Sequence, residues 1–185
     1  MTLFLVRHGR SLPAPGQPPH RWGLDPQGYD DVWALRTSGR LPARAVWFSS
    51  PEPKATETAQ LLTDNDVGVV DDLREHVRDT TDWIDDFRGT VRAAFADPDR
   101  AAYDGWEPLA ACRDRVVPAA RRILDVHAGE EVVLVGHGTA WTVLVAALIG
   151  GAPDLDRWEA MTMPDLLVVP DATRGTVNGS GPSHG

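Results

Sequence analysis

The first residues able to do chemistry are Arg7 and His8, which close the apolar run Leu3-Phe4-Leu5-Val6. A cation and an imidazole side by side suit an anionic ligand, with the imidazole available as nucleophile or proton carrier. The pattern returns late in the chain, where Val132-Val133-Leu134-Val135 runs into Gly136-His137-Gly138. Between them lie the turn Ser49-Ser50-Pro51-Glu52-Pro53-Lys54 and, just after Leu73, Glu75. Lys54 is the only lysine among 18 lysines and arginines. Brought together, these positions make a site of two cations, two imidazoles and one carboxylate, which suits a phosphoryl group.

They come together if the apolar runs are parallel strands of one sheet. Residues 3–6, 45–49, 67–70, 132–135 and 166–169 read as short strands. Helical patterns fill the gaps. One starts at Asp25-Pro26, with Asp25 as N-cap, and ends near Ser38-Gly39. Others cover 54–63, 79–96 with Trp83, Ile84, Phe87, Val91 and Phe95 as apolar side, 108–126, and 139–149 before Gly150-Gly151. Pro118 is expected to kink or divide the fourth of these. Alternating strands and helices imply a three-layer α/β/α fold with a mostly parallel central sheet, whose strand ends share one ligand-binding edge. The stretch 12–19, with four prolines and a glycine, must be a stiff loop. It either arches over the site, carrying His20, Arg21 and Trp22, or is a plain surface loop.

Composition bounds the rest. The 185 residues, 42% hydrophobic and 24% charged, fit one globular domain over 1–171 and a frayed tail over 172–185. A net charge of −9 argues against nucleic-acid or anionic-membrane partners, which call for a basic face. Cys112 is the only cysteine, so no intrachain disulfide forms and a reducing, cytoplasmic setting is expected. Residues 3–6 are too short for a signal-peptide core, and no segment has the length of a membrane span. Core and rim packing accounts for most of the seven tryptophans.

Leu5-Val6-Arg7-His8-Gly9 with Ser11, Ser49-Ser50-Pro51 with Ala55, Thr58 and Ala59, Leu73-Arg74-Glu75, and Val135-Gly136-His137-Gly138 appear in this order, each near a strand end. Together they resemble the histidine phosphatase superfamily, the phosphoglycerate mutase-like proteins, over roughly residues 2 to 170. The resemblance implies a metal-independent, cofactor-free phosphomonoesterase. In it His8 attacks phosphorus to form a phosphohistidine, Arg7, Lys54 and His137 hold the phosphoryl oxygens, and Glu75 moves the proton. Gly138, rather than a carboxylate, follows His137, so the chain resembles the branch whose acid lies mid-chain. Asp79, Asp82 and Asp85 compete with Glu75 for that role, His76 reads as a bystander, and Gly105-Trp106-Glu107 with Arg115 reads as structural.

Three departures matter. Lys54 stands where the family's second arginine is usual, keeping the charge but losing the two-pronged fork. Arg10 stands where glutamate or glutamine is common, and the asparagine often found in the next loop is missing, so Arg10 or Arg21 is a candidate for the lost phosphate donor. The expected substrate is a small phosphate ester or a phosphoprotein. The contrasting reading is a non-catalytic phospho-ligand binding or regulatory protein. A mutase is disfavoured, because the span from Glu75 to Pro108 is short for a large lid. Substrate identity and oligomeric state carry no sequence signal.

Overall fold

The computed structural model describes residues 1–172. The expected tail lies outside the described residues from 173 onward. Five strands, β1 (Leu3–Arg7), β2 (Val46–Ser49), β3 (Val67–Val69), β4 (Val132–Gly136) and β5 (Asp165–Val169), form one sheet in the order β3-β2-β4-β1-β5. The first four run parallel and β5 pairs with β1 antiparallel at the edge. Six helices surround it: α1 (Tyr29–Thr37), α2 (Pro53–Leu62), α3 (Phe87–Ala96), α4 (Leu109–Val126), α5 (Gly138–Ile149) and α6 (Leu155–Ala160).

Side-chain alternation along the strands splits the core into two layers. Leu3, Leu5, Val132 and Leu134 pack with α4 and α5 through Val116, Ala120, Trp141 and Leu144. Phe4, Val6, Val133 and Val135 face the other way, onto Val32 and Leu35 of α1 and Ala59 and Leu62 of α2. Both faces of β1 and β4 are therefore buried, which explains why these strands read as unbroken apolar runs. A third cluster, Val91, Trp106 and Trp158, joins α3 and α6 beside the main core.

Three local features depart from or refine the sequence reading. The helix expected over 79–96 begins only at Phe87, because residues 77–79 are drawn into a bridge with the loop before α4. Asp79 N–H donates to Gly105 O at 2.8 Å, Glu107 N–H donates to Val77 O at 3.0 Å, and Arg78 pairs with Trp106. The Asp86 carboxylate then caps α3 by accepting from Gly89 N–H at 2.9 Å, leaving Trp83 80% exposed. Second, Pro118 does not divide α4, which runs unbroken through it. The proline lies on the solvent face, where the carbonyl that loses its helical donor can face water. Third, Asp25 caps a short 3-10 turn (Pro26–Gly28) that leads into α1.

The Pro-rich stretch is an excursion closed at its base by pairing of Ser11 with Leu24 and by the Leu12 N–H bond to Gly23 O at 3.0 Å. At the other anchor, Trp141 is fully buried in α5 and its indole N–H reaches back to Val6 O at 2.9 Å. A β-carbon on Gly136 would stand 2.5 Å from the Trp141 ring. Gly136→Ala should therefore cost about 1–3 kcal/mol through overpacking, read as a lower denaturation midpoint at unchanged slope.

Candidate active site

Strand register places the site. Arg7 pairs with Gly136 and Ser49 with Val135. The ladder continues one residue further, with His8 N–H donating to Gly136 O at 2.8 Å and Ser50 N–H to Val135 O at 2.9 Å. His8, Ser50 and His137 thus leave the sheet side by side, and the two imidazoles meet edge to face with centroids 5.2 Å apart.

His8 is buried, and its Nδ1 lies 2.6 Å from Gly9 O, which can only accept. The proton therefore sits on Nδ1 and the Nε2 lone pair stays free. Burial, then His137 and Lys54, hold its pKa well below the ordinary value. His137 is buried too, with Nε2 2.7 Å from Ser50 Oγ and Nδ1 without a partner. Burial is the main cause that lowers its pKa to about 3, with Lys54, Arg78 and Arg7 helping and Glu75 opposing.

Arg7 is anchored by Nη1, which donates to Met161 O at 2.9 Å, while its buried Nε has no acceptor. Lys54, in the first turn of α2, donates to Pro19 O at 2.7 Å and pairs with Glu52 at 2.5 Å, both side chains buried. The proline loop does reach the site, through a backbone carbonyl.

Glu75 sits against the N-terminus of α5. Its carboxylate accepts from Ala140 N–H at 2.9 Å, Thr139 N–H at 3.2 Å and His76 N–H at 2.9 Å. Burial pushes its pKa up, but Arg78, His137 and the backbone bond outweigh that and bring it down to about 2. Its loop is braced from below: Arg115 donates to Arg74 O at 2.8 Å and Glu75 O at 3.2 Å while paired with Glu107 at 2.5 Å. His76 Nε2 meets Glu107 O at 2.7 Å in the same brace.

Arg7, His8, Lys54, Glu75 and His137 are thus brought together. Arg10 and Arg21 are not. The Arg10 side chain is 57% exposed and paired through Nε at 2.9 Å with Asp25, the capping carboxylate of the 3-10 turn, and Arg21 is exposed on the short turn Pro19–Arg21. Asp79, Asp82 and Asp85 are exposed as well, which leaves Glu75 as the carboxylate of that segment at the pocket. Two residues in the cluster carry no weight in a motif reading. Glu52 bridges Lys54, the Glu75 backbone N–H at 2.8 Å and His137 Nε2 at 3.5 Å. Arg78 bonds Thr139 Oγ1 at 2.8 Å. Their signals were the spacing Glu52-x-Lys54 at a helix start, and an arginine three residues after the acid. Among the described residues no group of three His, Cys, Asp or Glu is placed to hold a metal ion, and no helix is long and apolar enough to cross a membrane.

An α/β protein with buried imidazoles and cations at the C-terminal edge of its parallel strands offers an anion a pocket already charged and oriented. The chain matches the model of the histidine phosphatase superfamily (branch 1) over residues 3–169, and it belongs to that family. No curated protein matches its sequence. Among solved structures it is similar to YhfR of Bacillus stearothermophilus, at 24% identity and TM-score 0.71, covering 96% of this chain and 92% of that one. It is also similar to a mycobacterial glucosyl-3-phosphoglycerate phosphatase, at 23% and 0.69, covering 90% and 88%. A third is an Entamoeba histolytica phosphoserine phosphatase variant in complex with phosphoserine, at 18% and 0.67, covering 90% and 89%.

Depressed pKa values at the site give stability a direction, and His137 and Glu75 set its range. Native His137 protonates near pH 3 rather than 6.5, and native Glu75 near 2 rather than 4.5, so in acid the unfolded chain binds more protons. The melting temperature should hold above pH 6.5, fall below it through His137, and fall again below 4.5 through Glu75. In Glu75→Gln the decline between pH 4.5 and 3 should be shallower, as thermal melts across that range would show.

Proposed function

We propose that the protein is a metal-independent, cofactor-free phosphomonoesterase working through a phosphohistidine on His8. The observation that carries this reading is the His8 imidazole, buried, depressed in pKa, and fixed by Gly9 O with Nε2 free. A pocket that only bound anions would gain more from a protonated histidine. Membership of the family, and relatives named as phosphatases, support it.

In the first step the Nε2 lone pair attacks phosphorus and the ester P–O bond breaks, its electron pair going to the leaving oxygen. Arg7, with the remaining N–H of Lys54, balances the charge on the other phosphoryl oxygens, and the neutral His137 ring donates a hydrogen bond to them. Glu75 is ionised in the free protein, so the leaving oxygen's proton must arrive with the substrate. A monoester monoanion, whose last proton is lost near pH ~6, carries one, and Glu75 relays it to the alcohol. In the second step water attacks phosphorus, its proton passes to Glu75, and the P–N bond electrons return to His8. Phosphate leaves with the proton. The substrate is a small phosphorylated metabolite or a phosphoprotein, and the short segment between Glu75 and α4 favours hydrolysis over a mutase cycle.

Phosphate release from an aryl phosphate in EDTA tests the reading. His8→Ala should lose at least about a thousandfold in kcat. Glu75→Gln should lose roughly 10²–10⁴-fold on an alkyl phosphate and less on nitrophenyl phosphate, whose leaving group needs no proton. Turnover should fall as pH rises above ~6 with the substrate's own ionisation. Wild-type protein that binds phosphate yet shows no His8-dependent release across a broad ester panel would be a binding protein instead.

A further inference from the structure

We propose that Arg78 is the second guanidinium of the anion pocket, supplying the oxygen-binding fork that Lys54 does not. The inference rests on the pocket receiving a phosphoryl group, as argued above, and concerns which cations hold it.

Lys54 has three N–H donors, of which one bonds Pro19 O and another Glu52 Oε2. One donor is left, on an ammonium already balanced by a buried carboxylate. Lys54 keeps its electrostatic effect on His8, yet as a hydrogen-bonding group it is nearly spent. Arg78 is the reverse case. Of five N–H donors one is engaged, Nη2 on Thr139 Oγ1, and the buried Nε meets no acceptor.

The side chain is held by two aromatic rings. Its Cζ lies 4.8 Å from the Trp106 ring centroid and 4.9 Å from that of Phe87, while the Arg78–Trp106 bridge fixes its backbone. The two ring centroids are 6.0 Å apart and the rings are inclined at 62° to one another, so both pack on one side of the guanidinium and leave its hydrogen-bonding edge on the other side open. The edge belongs to the pocket, because Thr139, its partner, also donates its backbone N–H to Glu75. After burial, which acts the opposite way, Arg78 is the strongest influence on the Glu75 carboxyl, and its charge also reaches His137 and Arg7.

Three buried nitrogens of this cluster have no partner: Arg7 Nε and Arg78 Nε, both donors, and His137 Nδ1, a donor in the tautomer whose Nε2 accepts from the Ser50 hydroxyl. Each such group left unpaired costs free energy, and buried donors are ordinarily satisfied. An anion with several oxygens, set between His8 and Glu75, is the ligand that answers all three. Arg78 takes the oxygens on the Glu75 and His137 side, and Lys54 stands on the His8 side as a neighbouring charge. A purely structural Arg78, holding residues 77–79 against Trp106, would need the ring contacts and would have no use for unengaged donors.

The test is inorganic phosphate binding by calorimetry, and inhibition by phosphate and orthovanadate, on the full chain. Arg78→Met keeps the length and apolar packing and should weaken phosphate at least about tenfold with near-native melting. Arg78→Lys, which keeps charge but loses the fork, should fall between. The double variant Glu52→Leu with Lys54→Met, which removes the ion pair together, should lose at least tenfold less affinity than Arg78→Met. Wild-type affinity in a folded Arg78→Met or Arg78→Lys, or a greater loss in the double variant, would overturn the proposal. Turnover separates the two claims. Arg78-dependent phosphate binding without His8-dependent hydrolysis defeats the phosphatase reading alone, and hydrolysis with phosphate affinity indifferent to Arg78 defeats this one alone.

Discussion

Gathering like charges under a sheet edge is the constraint on which the rest of the structure depends. Arg7, Lys54 and Arg78 share one pocket with two imidazoles, and burial of a cation is tolerated only where a partner answers it. Glu52 and Glu75 are those partners, and neither acts on a cation alone. Glu52 pairs with Lys54 and accepts from the Glu75 backbone. Glu75 takes the N-terminal N–H groups of α5 and faces Arg7 and Arg78. The two carboxylates tie β2, α5 and the loop after β3 into one electrostatic unit, so the charges of the candidate site also fix the ends of the elements carrying them.

The same balance keeps both imidazoles neutral. His8, beside Lys54 and Arg7 and away from water, gives up its proton, and the Gly9 carbonyl then decides which nitrogen keeps the one that remains. The tautomer and protonation state that the proposed nucleophile needs thus follow from packing and charge without a dedicated base.

Most of the fold was legible, because β1, β2, β4 and α5 are buried on their contacting faces and announce themselves as apolar runs. The helix expected at 79–96 failed in its first half for a physical reason. Trp83 and Ile84 continue the helical spacing of α3, but Arg78 and its neighbours are held by Trp106 and Glu107, far away in sequence. Of the site, Arg7, His8, Lys54, Glu75 and His137 were readable from their places at element ends. Glu52 and Arg78 were not, since their importance lies in pairing across the pocket, which no local pattern records. Arg10 and Arg21 show the converse: near the motif in sequence, they answer to Asp25 and to solvent in space.

The carbonyl of Pro19 that receives Lys54 belongs to the main chain, and every residue type offers the same oxygen. Side chains along residues 12–23 can therefore change without disturbing the ammonium they help to seat, provided the pairing of Ser11 with Leu24 keeps the excursion closed. Selection can then revise the rim of the pocket while its charged floor stays constant. A chain built this way can vary the sequence of one loop at little risk to the charges beneath it.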